Sequence, residues 1–151
     1  MATRSNIAYK TAEGKIRSVY CHWDGYPAHN GEMLTRHYSE LDKVRQLIAL
    51  GSISSLREEI GDKQDFDDRS TQNDAWTLAY HRDRGEQLSI QEYDDVPSWI
   101  EDMEEYAYLW TENGWLVNDH GAKDANGFPI FDYVETVVTD EMRKQIGWDN
   151  E

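Results

Sequence analysis

Cys21, His22, Asp24 and His29 stand within nine residues of one another, in the run Tyr20-Cys21-His22-Trp23-Asp24-Gly25-Tyr26-Pro27 and just past it. Thiol, imidazole and carboxylate groups are zinc ligands, but this spacing matches no closed structural site, and neighbours on a strand point to opposite faces. A thiol nucleophile needs a lowered pKa, and nothing in the run marks one. The plainer reading packs Cys21 and Trp23 in the core, exposes His22 and makes Asp24-Gly25 a turn. No metal or cofactor is assigned.

A second cluster is Tyr80-His81-Arg82-Asp83-Arg84-Gly85-Glu86. His-Arg-Asp occurs in kinase catalytic loops, but the glycine loop, strand lysine and metal-binding aspartate of a kinase are missing. Arg82 and Arg84 beside a glycine can grip a phosphate or carboxylate through forked donors, or simply pair with neighbouring carboxylates. A third cluster, Asp62, Asp65, Asp67, Asp68 and Asp74, lacks the glycine and closing glutamate of a calcium loop and reads as solvated.

The fourth feature is electrostatic. The chain carries a net charge of -15, yet residues 1–57 sum to +3 and residues 58–151 to -18. Residues 85–122 contain no Lys or Arg. Within and beside that stretch, Glu92, Asp94, Asp95, Glu101, Asp102, Glu104, Glu105 and Glu112 alternate with aromatics that include Trp110. Such a field repels nucleic acid and anionic membranes, and it suits a partner protein with a basic surface, the rings serving as anchors. It also suits a plain solvated face.

These residues need elements to hold them. A length of 151 residues matches one domain, 1–151, and 12% aromatic residues distinguish it from an acidic disordered chain. Asn6–Thr11 and Ile16–Trp23 alternate as a hairpin around Glu13-Gly14. A short helix is expected over Glu32–Tyr38. A second, after a Ser39/Asp42 capping box, shows an apolar stripe of Leu41, Val44, Leu47 and Ile48 ending at Gly51. A helical turn is expected over Ser55–Ile60 and a mobile polar loop over Gly61–Asn73. Trp76–His81 and Gln87–Glu92 alternate about Arg82–Gly85, which predicts a hairpin with that tetrapeptide at its tip. Val96-Pro97 opens a helix in which Trp99, Ile100, Met103 and Ala107 share a face. Asn113-Gly114 marks a hairpin between Tyr108–Glu112 and Trp115–Asp119, Phe128–Val138 is β-rich, and Thr139 caps a last helix. The fold class is α+β, a mixed or mainly antiparallel sheet built from hairpins with helices packed on one side.

No apolar run reaches the roughly 18 residues of a membrane span, and the start lacks a secretory pattern, so a cytoplasmic location is expected. The lone Cys21 fits a reducing compartment.

Thr3-Arg4-Ser5-Asn6-Ile7-Ala8, Val19–Pro27, Asn30-Gly31, His37-Tyr38 and Leu47-Ile48-Ala49-Leu50-Gly51 together resemble a family of small, uncharacterised proteins of tailed bacteriophages and prophages. The likeness is strongest over residues 3–60 and returns at His81–Glu86. It implies the cytoplasm of an infected bacterial host and brings no catalytic residues.

The resulting expectation is an acidic, non-enzymatic phage protein that binds and inhibits or modulates a host protein, for counter-defence or host takeover. Its contact surface is Glu92, Asp94, Asp95, Glu101, Asp102, Glu104, Glu105, Trp110 and Glu112, with carboxylates standing where DNA phosphates would sit. The alternative is a small anionic-ligand or nucleotide binder, or a hydrolase, using His22, Asp24, His29, His81, Arg82 and Arg84. A third reading is a virion or assembly accessory protein. The sequence sets no oligomeric state and allows a homodimer.

Overall fold

The first hairpin forms where the alternation places it. In the computed structural model, which describes residues 2–148, β1 (Ser5–Lys10) and β2 (Ile16–Cys21) pair antiparallel with Ser5 opposite Cys21 and Lys10 opposite Ile16. Period-2 geometry sends Ile7, Tyr9, Val19 and Cys21 to one face and Ala8 and Ile16 to the other. The chain then leaves the sheet through a π-helical turn (Pro27–Gly31), α1 (Glu32–His37) and α2 (Leu41–Ala49), and returns as β3 (Ile53–Ser55), parallel to β2.

After a long loop, β4 (Leu78–Ala79) pairs with β3 and runs into α3 (Tyr80–Arg84). Next, β5 (Gln91–Tyr93) pairs with the first half of β2. Then α4 (Val96–Glu101) leads to the hairpin β6 (Tyr106–Thr111) and β7 (Gly114–Asp119), and β8 (Asp132–Tyr133), α5 (Val134–Val137) and α6 (Asp140–Ile146) follow. All eight strands join one sheet in the order β4-β3-β2-β1-β6-β7-β8, with β5 beside β2. The pairs β1/β6 and β2/β3 are parallel and the rest antiparallel, so the sheet is mixed and the class is α+β.

Each face of the sheet has its own core. On one, Ile7, Val19, Cys21, Tyr108 and Val117 pack against Leu34 of α1, Val44, Leu47 and Ile48 of α2, and Val134 of α5. On the other, Ala8, Ile16, Ala107 and Leu109 pack against Trp99 and Ile100 of α4. Most helices thus share one side, as expected, and α4 covers the second. Fully buried Trp99 donates its Nε1–H to the buried Ser18 hydroxyl at 2.9 Å, which satisfies the indole without water. Asp95 caps α4 by accepting the Ser98 amide at 2.9 Å, and Pro97 lies in its first turn.

Several expected elements differ. Glu40, not Ser39, is the N-cap of α2, and no side chain caps it. Ser55–Ile60 is not a helical turn: it begins inside β3 and passes a bend at Glu58, with Glu59 bridging Trp76. Ala107 lies in β6, where its small side chain faces α4. The expected hairpin over 76–92 does not form. Its first limb pairs with β3 and its second with β2, while Arg82–Gly85 is the end of α3, with Gly85 left-handed at φ 77°. A glycine at positive φ serves a helix end as readily as a hairpin tip. Phe128–Val138 contributes one two-residue strand and then a helical turn. Among the described residues, no helix is long and apolar enough to cross a membrane.

Candidate functional site

The Cys21–Asn30 segment is built around buried Asn30. Its Nδ2 donates to the Trp23 carbonyl at 3.2 Å and lies 3.4 Å from both Cys21 Sγ and Ser5 Oγ. Cys21 is fully buried, and burial pushes its thiol up to about 12, which rules out a ready thiolate. His22 accepts or donates at the Tyr20 hydroxyl, 2.6 Å away, and meets the edge of the Trp23 ring at 4.7 Å. Trp23, expected in the core, is instead 43% exposed, because the chain leaves the sheet after Cys21 and the alternation no longer applies.

Gly25 explains much of the motif. A Cβ there would sit 2.9 Å from the Arg4 backbone, the Thr3 carbonyl and the Ser5 side chain. Its amide donates to Thr3 O at 2.8 Å and its carbonyl accepts the buried Tyr108 hydroxyl at 2.6 Å. Gly25 thus lets the loop cross directly over the start of β1. Asp24, just before it, has φ 58°, a conformation uncommon for a residue with a side chain and most often kept where surroundings over-determine it.

His29 has a defined tautomer. Asn30 must donate from Nδ2 to the Trp23 carbonyl, so its Oδ1 is the atom 2.9 Å from His29 Nδ1. An amide oxygen only accepts, so Nδ1 carries the hydrogen and the neutral ring keeps Nε2 as an acceptor. Tyr26 and Trp148 flank this ring at 6.1 and 6.2 Å.

Asp24 and His29 line one cleft of about 330 Å³, with Arg57, Glu58, Arg69 and Asp74. The loop expected to be mobile supplies its far wall and is tied down. Buried Gln64 accepts the Asn73 amide at 2.8 Å and donates to Thr77 O at 3.4 Å, and its own amide reaches Asp83 Oδ1 at 2.9 Å. The aspartates of that loop close turns: Asp65 accepts the Asp67 amide, and Asp68 accepts both the amide and the hydroxyl of Ser70. Among the described residues, no group of three His, Cys, Asp or Glu side chains could hold a metal ion.

His22, His81, Arg82 and Arg84 do not line this cleft. Arg82 spends all five N–H donors internally, on the carbonyls of Ile60, Gly61 and Thr77 and on both oxygens of Asp83. Asp83, with a side chain 0% exposed, also accepts the Ala79 amide at 2.8 Å. The pair locks the 61–77 loop to β4 and α3. Arg84 pairs with Glu86 and lies over the Phe66 and Tyr80 rings at 4.4 and 5.0 Å, while His81 Nδ1 meets the Glu86 carbonyl at 2.6 Å.

The acidic residues from Glu92 to Glu105 form a second surface around α4, whereas Trp110, which packs against the core on the other face of the sheet, and Glu112 line a separate cleft with Thr35 and Ser39. The basic N-terminal third folds onto it: Arg4 reaches Glu104 at 3.7 Å, Lys15 reaches Asp94 at 3.5 Å, and Arg17 reaches Glu92 at 3.0 Å. Glu105 accepts the Arg4 amide at 2.8 Å, and Asp102 accepts the Tyr93 hydroxyl. Burial, then that carboxylate, pushes Tyr93 up to about 12. Trp110 donates to Ser39 O at 2.9 Å. Among the described residues, exposed Glu101 and Glu112 have no ion-pair partner. Two clefts meet at Glu104: one of about 540 Å³, lined by Arg4, Ile100, Met103, Glu105 and His120, and one of about 330 Å³, lined by Tyr20, Tyr93 and Asp102.

Sequence reasoning missed Arg57 and Arg69 as site residues. Their approach to Asp24 and His29 depends on β3 lying beside β2 and on the Gln64–Asp83 tie, neither of which has a local sequence signal. Comparison with protein-family models, curated proteins and solved structures returned no match to this chain.

Proposed function

We propose that the protein is a non-enzymatic binding protein whose acidic surface engages a basic region of a host protein and thereby inhibits or modulates it. The observation that supports this most directly is the pair of carboxylate-edged clefts sharing Glu104. Each offers acidic rims with apolar or aromatic walls, a setting in which a partner's Lys or Arg stem packs against Met103 or Tyr93 while its charge meets Glu104, Glu105 or Asp102. Exposed Glu101 and Glu112 extend the field and raise the encounter rate without contributing to the fold. The resemblance to tailed-phage proteins makes a bacterial protein the natural partner, and a DNA-binding groove is the basic surface such a field would occupy.

The internal pairings dictate the test. Asp102, Glu104 and Glu105 hold Tyr93 and Arg4, so reversing them would disturb the fold. Asp94, Glu101 and Glu112 are exposed, and the Asp94 pair with Lys15 is a surface contact worth about 0–1 kcal/mol. Immobilised protein is expected to capture a host-lysate partner at about 0.1 M salt and release it at about 1 M. The variant Asp94→Lys/Glu101→Lys/Glu112→Lys should melt like the wild type and capture much less partner at about 0.1 M salt, because the steering field is reversed. Equal capture by that variant sinks the proposal.

A further inference from the structure

Among the described residues, the two arginines of the motif cleft and four lysines, Lys10, Lys63, Lys123 and Lys144, have no carboxylate within ion-pair distance. Arg4, Lys15, Arg17, Arg36, Lys43, Arg45, Arg82, Arg84 and Arg143 each have a carboxylate within ion-pair distance. Arg57 and Arg69 line a cleft with three carboxylates, Asp24, Glu58 and Asp74, yet among the described residues neither guanidinium has one within 4.0 Å. Among the described residues, Arg57 makes one side-chain hydrogen bond, from Nη1 to the Asp74 carbonyl at 3.4 Å, and Arg69 makes none. Arg57 and exposed Arg69 line this concave surface unpaired and can offer forked donors to a phosphoryl group, against a lining in which three carboxylates outnumber them.

The rest of the cleft is polar and prearranged. His29 is fixed by buried Asn30 as the tautomer with Nε2 free to accept, and Nε2 has no partner among the described residues. Asp24 is held at φ 58°, and Asp74 also lines the cleft. Acceptors and arginines that line one cleft suit a ligand that carries both a phosphoryl group and hydroxyl donors. A volume of about 330 Å³ is at the small end of the ligand-pocket range.

We propose that this cleft binds the phosphoryl group of a small phosphate compound through Arg57 and Arg69, with Asp24, Asp74 and His29 accepting from its hydroxyl groups. The site lies apart from the acidic clefts and shares no lining residue with them.

Calorimetric titration of the full chain with inorganic phosphate, adenosine monophosphate and ribose tests it. Saturable binding is expected for the two phosphate-bearing probes and not for ribose. Tighter binding of the nucleotide than of free phosphate is expected; equal binding overturns the part given to Asp24, Asp74 and His29. Arg57→Gln should weaken either by about tenfold or more, the effect of losing one charge-assisted hydrogen bond. Arg69→Gln, at an exposed position with no internal bond to lose, should do the same and keeps the test valid if Arg57→Gln unfolds. Arg45→Gln, on the surface of α2, should bind like the wild type. No saturable heat with either phosphate probe, ribose binding as well as the nucleotide, or wild-type affinity in a folded Arg69→Gln variant overturns the proposal.

Discussion

The acidic surface and the motif cleft treat charge in opposite ways. Around α4, a region without Lys or Arg borrows Arg4, Lys15 and Arg17 from the first strands, so part of a strong field is neutralised from within. In the motif cleft, arginines and carboxylates share one small space and stay apart. Charge polarity along a chain is therefore a poor guide to polarity on its surface. What counts is which charges the fold has left without partners.

The largest effect that would break this contrast is loss of Asp83. Its carboxylate is buried and holds Gln64, Ala79 and Arg82 together, so Asp83→Ala leaves a guanidinium and two amides without their acceptor. Breaking such a buried pair costs about 3–5 kcal/mol, which urea denaturation should register. Phosphate binding should fall as the 61–77 wall loosens, while partner capture by the acidic surface persists in whatever fraction stays folded.

A smaller effect is expected from Asn30→Ala. Removing the amide leaves the partly buried Trp23 carbonyl with only the weak Cys21 thiol as donor and frees His29 to change tautomer, at about 1–3 kcal/mol measured by thermal melting. The acidic clefts share no residue with this region and should keep their affinity.

The smallest effect is pH-dependent. Hydrogen bonds first from the Ser98 amide and then from its hydroxyl hold the Asp95 carboxyl below its ordinary value. A depressed carboxyl adds stability above its unfolded pKa of 3.8 and loses it as pH falls through the folded value. Asp95→Ala should therefore melt below the wild type at pH 7, and the gap should close on acidification below about pH 4. A gap that persists at low pH would mean that Asp95 acts by something other than its charge.

Local chemistry made part of this molecule legible. Asn113-Gly114 marked β6/β7, Thr139 marked α6 by accepting the Met142 amide, and the stripe through Val44, Leu47 and Ile48 marked α2. Errors arose where pairing is distant in sequence. Trp76–His81 and Gln87–Glu92 looked like partners because they are adjacent, yet they take β3 and β2, whose open edges precede them by more than twenty residues. The site follows the same rule. Asp24 and His29 are local and could be singled out as polar loop residues, whereas Arg57 and Arg69 reach them only through tertiary ties.

The position of β1 bears on synthesis. It sits mid-sheet, flanked by β2 and by β6, which is its parallel neighbour from Ser5 beside Tyr106 to Ala8 beside Leu109. A ribosome that has made the first hairpin must add roughly a hundred residues before the other side of β1 can be covered, about 5–20 s at ordinary elongation rates. Through that interval the nascent chain shows an unpaired edge bearing Ile7 and Tyr9, the kind of surface that recruits chaperones or sticks to another copy. The strand at the centre of the sheet is thus made long before it is enclosed.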